Sequence, residues 1–379
     1  MKLCDTLDMV GVELCESWTK SRQKNGVAVR DKVDRVVGPW RAGKFMPLSL
    51  RPYSLNTFAL SRVWYKCYNV NLRCSDIDAI NSSIKRWLYA DLLLKPEQLL
   101  LHRSPQNGGL GLVSVRHKAK ACFIQNFLEM STNPNYHQSL LLSAYFRVHV
   151  IGEDIPCPPL PPYLSVEFFQ TIKSAYNLGH NVTLMSNKAW YNFLMEQDFC
   201  EIDNGIVCPI PSKSEKENSD IDWKKVWANS HLPCLDANIT SFAFKLINNL
   251  LPCEDRVARI IGSALPACKF HCSPTSPSDL HHVFFKCIHS SAVGDWMRRI
   301  VKKVEPLSND STILMLDFDG RDSLIWIILH AMNFIWDRRK ASKSITLEEC
   351  RENIRADATI LLDTKHANTA VMILCQISL

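Results

Sequence analysis

Apolar residues recur every three or four positions along most of this chain, which is the spacing of one face of an α-helix. In residues 29–40, for example, Val29, Val33 and Val37 follow one another at intervals of four. Residues 10–13 form a short strand-like piece. We therefore expect a mostly α-helical protein. The predicted helices cover residues 29–40, 55–68, 77–89, 114–130, 188–199, 242–251, 257–261, 292–304, 324–336 and 347–362.

The longest apolar run, residues 324–336, predicts a buried helix. It contains 13 residues between charged ends such as Asp322 and Arg338, whereas a helix that crosses a bilayer needs about 20 apolar residues. The first 18 residues lack the continuous apolar core of a signal peptide. We therefore expect no membrane partner and a cytoplasmic or nuclear, not secreted, protein, whose 15 cysteines are free or bound to metal.

Length and composition limit the domain organisation. The 379 residues, 46% of them apolar and 22% charged, are typical of a globular chain with two or three domains. Five prolines lie within residues 155–163, which predicts a stiff connector. A P-x-x-P ligand for an SH3-like groove is the alternative for this stretch.

Positive charge is concentrated in the first third of the chain. Up to Lys120 there are 20 Lys and Arg against 10 Asp and Glu, whereas the remainder has 24 against 28. Because phosphate groups are neutralised by clustered cations, this asymmetry favours an N-terminal half that faces nucleic acid. A solvated basic surface without a ligand is the alternative.

Three cysteines and a histidine gather within residues 265–287. Cys268, Cys272, His282 and Cys287 are ligand types of tetrahedral zinc, arranged as two close pairs with a spacer. Three residues separate the first pair, and His271 competes with Cys272 as its second member. The second pair is five apart, about 140° out of register on an ideal helix, so a helix must start late or end early there. The alternative is that the cysteines are small buried hydrophobic residues.

The glycines of residues 104–112 invite comparison with a nucleotide-binding loop. A dinucleotide fingerprint requires a third glycine where this chain has Ser114, and no Lys followed by Ser or Thr completes a phosphate loop. We therefore predict a tight turn. The sequence also lacks a Ser-centred nucleophile elbow and a His-Glu-x-x-His motif, so we expect no small-molecule substrate.

Two groups of short motifs follow one another in a fixed order. The first group is Val10-Gly11-Val12, Trp40, Leu60-Ser61-Arg62-Val63-Trp64, Ile84-Lys85-Arg86-Trp87-Leu88, Pro105, Gly108-Gly109-Leu110-Gly111-Leu112 and Lys118-Ala119-Lys120-Ala121. The second group is Asp222, Trp223 and Trp227, then Leu251 and Pro252, then Asp255 and Arg256, and finally the Cys/His cluster. In this order they resemble the region after the polymerase domain, including the zinc-binding module, in reverse transcriptases of LINE-type (non-LTR) retrotransposons.

The resemblance implies a non-catalytic C-terminal fragment of such an enzyme. Polymerase chemistry needs carboxylates that hold two metal ions, and the sequence has no two adjacent aspartates, so we expect no enzyme activity. A zinc with four protein ligands would be structural. The implied segments are a basic post-polymerase segment (1–150), a Pro-rich connector with one or two helices (151–221), the zinc-binding module (222–345), and a C-terminal helix and tail (346–379).

The resemblance also implies RNA or DNA as a partner. A further alternative is that the chain works only together with a separate polymerase chain. We expect binding to phosphates, with weak sequence preference and steep salt dependence. The alternative function is a helical protein-interaction scaffold or an inactive transposon relic. The residues expected to contact nucleic acid are Arg51, Arg62, Lys66, Lys85, Arg86, Arg116, Lys118 and Lys120.

Overall fold

The computed structural model describes residues 6–9, 12–15, 17–40, 46–90, 92–203, 206–262, 268–272 and 278–377. Helices dominate these residues, and the strands described form two short antiparallel hairpins. This confirms the prediction of a mostly α-helical protein. Val10 and Gly11 of the first motif group lie outside the described residues. In the described part of the chain, no helix combines the length and apolar character that a membrane span requires.

The chain divides into two compact units. The first comprises Met1–Met46, Arg51–Ala90 and Leu112–Ile210, and the second comprises Pro47–Leu50, Asp91–Gly111 and Pro211–Leu379. The predicted division into four segments follows other boundaries and stays a prediction.

The first unit is built on helices packed around Val115–Thr132. Its first long helix begins at Trp18 rather than at residue 29, because the Ser17 hydroxyl accepts a hydrogen bond from the Lys20 amide and caps the polar end. The hairpins pair Thr6–Met9 with Val12–Cys15 and Cys200–Asp203 with Ile206–Pro209. The helices are Trp18–Val37, Arg51–Ser54, Ser61–Asn69, Cys74–Leu88, Val115–Thr132, Ser139–Phe146, Val166–Asn177 and Asn187–Phe199, with π-helical turns at Leu55–Leu60 and Arg147–Ile151.

The core of the first unit extends beyond the basic segment. Phe127 contacts Phe168 and Phe169 edge to face, and Trp190 is fully buried in the same cluster. Residues 155–163 form neither helix nor strand. The region predicted as a connector therefore contributes two helices, Val166–Asn177 and Asn187–Phe199, to this core.

The second unit is organised around the helix Asp322–Lys340, which contains the predicted buried helix 324–336. Residues from Leu324 to Met332 are buried on every side of this helix, as expected for one surrounded by neighbours. The other helices of the unit are Gln98–His102, Lys213–Glu217, Trp223–Ser230, Ala237–Ile247, Glu254–Ile261, Ser291–Lys302, Asp310–Leu314, Leu347–Leu362 and Ala367–Ile377, with a 3₁₀ turn at Pro105–Asn107 and a π-helical turn at His282–Lys286.

The C-terminal helix begins where the sequence predicts, because Thr346 caps it through the Glu349 amide. The prediction of a tail after this helix is wrong. Ala370, Ile373 and Ile377 are spaced at three and four residues and are buried, and they place a further helix, Ala367–Ile377, against the helix Asp322–Lys340.

The glycine stretch forms a tight turn, as predicted. Gly108 and Gly111 have φ values of 75° and 68°, which side chains with a Cβ rarely adopt. A Cβ atom at Gly108 would also collide with the Trp227 indole. The glycines therefore let the backbone approach Trp227, a residue of the second motif group.

Candidate metal centre

The second ligand pair lies on a π-helical turn. The turn covers His282–Lys286, and the Cys287 amide donates to the His282 carbonyl at 2.8 Å, five residues back along the chain. This wider turn brings residues five apart to the same side, which an ordinary α-helix does not do. The turn ends at Lys286, and Cys287 has an extended backbone, which confirms the expectation that a helix must end early there.

The first ligand pair is closed by a residue in the left-handed conformation. His271 has a φ of 53°, a region that histidine visits more readily than most residues with a Cβ. Its amide donates to the Cys268 carbonyl at 2.6 Å. This turn reverses the chain so that Cys272, and not the His271 side chain, joins the other three ligand residues.

The four side chains converge on one point. Their ligand atoms all lie within 4.8 Å of one another. The Cys268 and Cys287 Sγ atoms are 3.8 Å apart, and the Cys272 Sγ atom is 3.2 Å from His282 Nε2. Tetrahedral zinc with ordinary bond lengths would place two sulfurs about 3.8 Å apart and a sulfur and a nitrogen about 3.5 Å apart. The cluster can hold a metal ion.

The protein environment prepares one thiolate and leaves another thiol protonated. Burial alone would raise the pKa of Cys268, but hydrogen bonds from the Arg339 guanidinium and the Phe270 main chain lower it to about 6. Burial and the neighbouring thiols raise the pKa of Cys272 to about 12. A bound dication would displace the remaining thiol protons, so metal binding is expected to release protons.

Arg339 is a member of this site that the sequence analysis did not single out. Its side chain is 4% exposed and donates from both terminal nitrogens to Cys268 Sγ, at 3.4 and 3.5 Å. It also donates to Glu254 at 2.8 Å and to Ser278 at 2.9 Å. The sequence spacing indicates that Arg339 lies on a buried helix face, because it follows Ile335 by four residues and Met332 by seven, and both are fully buried.

The residues predicted to bind nucleic acid all lie in the first unit, but two of them are buried. Arg51 is 1% exposed and donates to the carbonyls of Met46 and Leu88. Lys66 is 5% exposed and donates to Asn25. The prediction is wrong for these two cations, because a side chain used to satisfy internal acceptors does not face a phosphate.

The other six predicted cations remain accessible to different extents. Arg62, Arg86 and Arg116 are exposed, whereas Lys85, Lys118 and Lys120 are half-buried. Arg116 lies 3.7 Å from Asp78, an exposed pair that is expected to contribute little to stability. Lys118 donates to Asn187, and Lys120 is 3.9 Å from Glu167.

A groove of about 710 Å³ lies between the helices Trp18–Val37 and Cys74–Leu88. Arg30 from the first helix and Arg86 from the second line it, together with Asp34 and the small residues Ser82 and Ser83. The groove therefore adds Arg30, which the sequence analysis did not select, to the accessible cations of the first unit.

Ser114, His117 and Asp198 form a chain of hydrogen bonds that resembles a hydrolase triad. Ser114 Oγ lies 2.6 Å from His117 Nδ1, and His117 Nε2 lies 2.8 Å from Asp198. Ser114 and His117 are both buried, so this serine has no access to a substrate. We interpret these hydrogen bonds as a structural link between the helices Val115–Thr132 and Asn187–Phe199.

Comparisons with known proteins add no family. No protein-family model matches this chain, and no curated protein matches it. The interpretation of the molecule therefore rests on its motifs, its ligand cluster and the burial of its charged residues.

Proposed function

We propose that Cys268, Cys272, His282 and Cys287 bind one zinc ion and that this ion is structural. The sulfur–sulfur distance of 3.8 Å is the observation that carries the proposal, since it matches two ligands of one tetrahedral zinc. Thiolate and imidazole favour zinc over magnesium or calcium, which prefer oxygen ligands. Four protein ligands complete the tetrahedron and leave no position for a reacting water.

Zinc content, measured by elemental analysis on protein purified without chelator, tests this proposal. We expect about one zinc per chain and its loss in Cys287→Ser. His271→Gly is the matched variant, because glycine adopts the left-handed conformation without cost and removes only the competing imidazole. Retained zinc in His271→Gly would support Cys272 as the ligand, and loss of zinc would assign the site to His271. Wild-type protein that folds without zinc would overturn the proposal.

We further propose that the chain is a non-catalytic C-terminal fragment of a LINE-type reverse transcriptase and acts in the cytoplasm or nucleus by binding RNA or DNA. The order of its motifs supports the origin. The activity is supported by three exposed cations of the first unit, Arg62, Arg86 and Arg116. Accessible cations can neutralise phosphates, and the counterions of those phosphates are then released. Arg51 and Lys66 are no longer part of the proposed interface.

Salt-dependent binding of a labelled single-stranded oligonucleotide tests the activity. If about three phosphates are contacted, the affinity is expected to fall roughly 20-fold as salt rises from about 50 to about 200 mM. Removing one contact, as in Arg62→Met or Arg86→Met, is expected to reduce the slope of the logarithmic plot by about 0.7. Affinity that does not change with salt would contradict the proposal and favour a protein-interaction scaffold.

A further inference from the structure

We propose that Arg339 is a positioning residue for the metal centre, which fixes the ligand segments before the ion binds and balances the charge of the occupied site. This proposal rests on the proposed zinc site. The Arg339 side chain contacts three separate parts of the chain, represented by Cys268, Glu254 and Ser278. All three belong to the second unit.

The geometry links the two ligand pairs through one guanidinium. Cys268 is the first ligand of the first pair, and Ser278 lies four residues before His282, the first ligand of the second. Ser278 also donates to Glu254 at 2.7 Å, so serine, carboxylate and guanidinium form a closed set of hydrogen bonds. The Phe270 ring, between the ligands of the first pair, lies 5.4 Å from the Arg339 Cζ atom and limits where the guanidinium can move.

Arg339 also balances the negative charge of the occupied metal site. Three thiolates around a dication leave one net negative charge, and Glu254 adds another within hydrogen-bond distance of Arg339. Cys268, Cys287 and His282 are all at most 4% exposed, whereas Cys272 is half-buried, so water compensates charge poorly at every ligand except Cys272. An arginine is suited to this place because its planar fork serves several acceptors at once, whereas a lysine ammonium is a single point charge.

Zinc affinity, measured by competition with a chromophoric chelator, tests the proposal. We expect Arg339→Met to weaken zinc binding about 10–100-fold, the usual effect of removing a residue that orients metal ligands, and Arg339→Lys to be intermediate. Lys340→Met is the matched control. It removes one positive charge at the next residue, but its ammonium pairs with Asp337 rather than with a ligand, so its affinity should equal that of the wild type.

Cobalt substitution separates positioning from general stability. A hydrogen bond withdraws electron density from a thiolate, so its loss in Arg339→Met should move the sulfur-to-cobalt charge-transfer band to longer wavelength, while Lys340→Met should leave the band unchanged. If Arg339→Met does not fold, Arg339→Lys decides the question. Unchanged zinc affinity and an unchanged cobalt spectrum in the folded variants would overturn this proposal. Wild-type protein without zinc would instead overturn the proposed metal site.

Discussion

Arg51 in the first unit and Arg339 in the second are both almost fully buried, at 1% and 4% exposure, but they serve different partners. Arg51 donates to the main-chain carbonyls of Met46 and Leu88, at 3.0 and 2.7 Å. Arg339 donates to a candidate metal ligand and to side chains that surround it. Arg51 thus donates to main-chain carbonyls of its own unit, whereas Arg339 donates to a thiol, a carboxylate and a hydroxyl around the ligand cluster.

Removal of the metal should distinguish the two units most strongly. At free zinc roughly 1,000-fold above the dissociation constant, binding adds about 4 kcal/mol to the stability of the folded form. Chelation should remove this contribution from the second unit, since none of the four ligands lies in the first. Hydrogen exchange measured by mass spectrometry should show lost protection in Asp322–Lys340 and unchanged protection in Val166–Asn177. Equal loss of protection in both helices would contradict the prediction that the metal stabilises only the second unit.

Replacement of Arg51 tests how much this buried cation stabilises the first unit. Arg51→Met leaves two main-chain carbonyls without this donor, at about 1–3 kcal/mol for each unsatisfied buried group, so we expect a loss of about 2–5 kcal/mol in the free energy of unfolding. Urea denaturation measures this loss.

Arg62→Met provides the control for Arg51→Met, because it removes the same charge from an exposed position and should change stability by less than about 0.5 kcal/mol. The order should reverse for nucleic acid, where only Arg62→Met is expected to weaken binding among variants that remain folded. Equal effects of the two variants on both properties would contradict the burial of Arg51.

Local patterns predicted the elements and the ligand types, but not the contacts that depend on distant residues. The helix around residues 324–336 and the cap at Thr346 were predictable, because apolar spacing and capping act over a few positions. The same spacing places Arg339 on a buried face, but its partners Cys268, Ser278 and Glu254 lie 61 to 85 residues away. A charge count therefore assigns it to the surface.

The backbone of the ligand pairs shows a second limit of sequence reasoning. His282 and Cys287 are five positions apart and cannot share one face of an ordinary α-helix. The π-helical turn removes this conflict, and the left-handed His271 does the same for the wide first pair. Both conformations are uncommon, so intrinsic propensity does not predict them. The two conformations can be inferred only when all four ligand residues are required to bind the same ion.

Acidification should produce the smallest difference between the units, and it acts on the buried hydrogen-bond chain of His117. Burial lowers the pKa of His117 below its usual 6.5, an effect only partly offset by Asp198, and the nearby Arg116 and Lys120 lower it further. The unfolded chain therefore binds a proton at pH values where the folded first unit does not. Stability is complete above about pH 6.5 and is lost as the pH falls from there towards the lower pKa of the folded state.

His117→Gln removes this titration and should flatten the pH dependence of hydrogen-exchange protection in Val115–Thr132 between about pH 7.5 and about pH 5.5. The second unit needs a separate control, because metal binding to thiolate and imidazole ligands weakens in acid. A chelator added at each pH removes that contribution. If the wild-type first unit then gains protection on acidification, the proton stabilises the Ser114–His117–Asp198 chain, and the sign of our argument for this buried histidine is wrong.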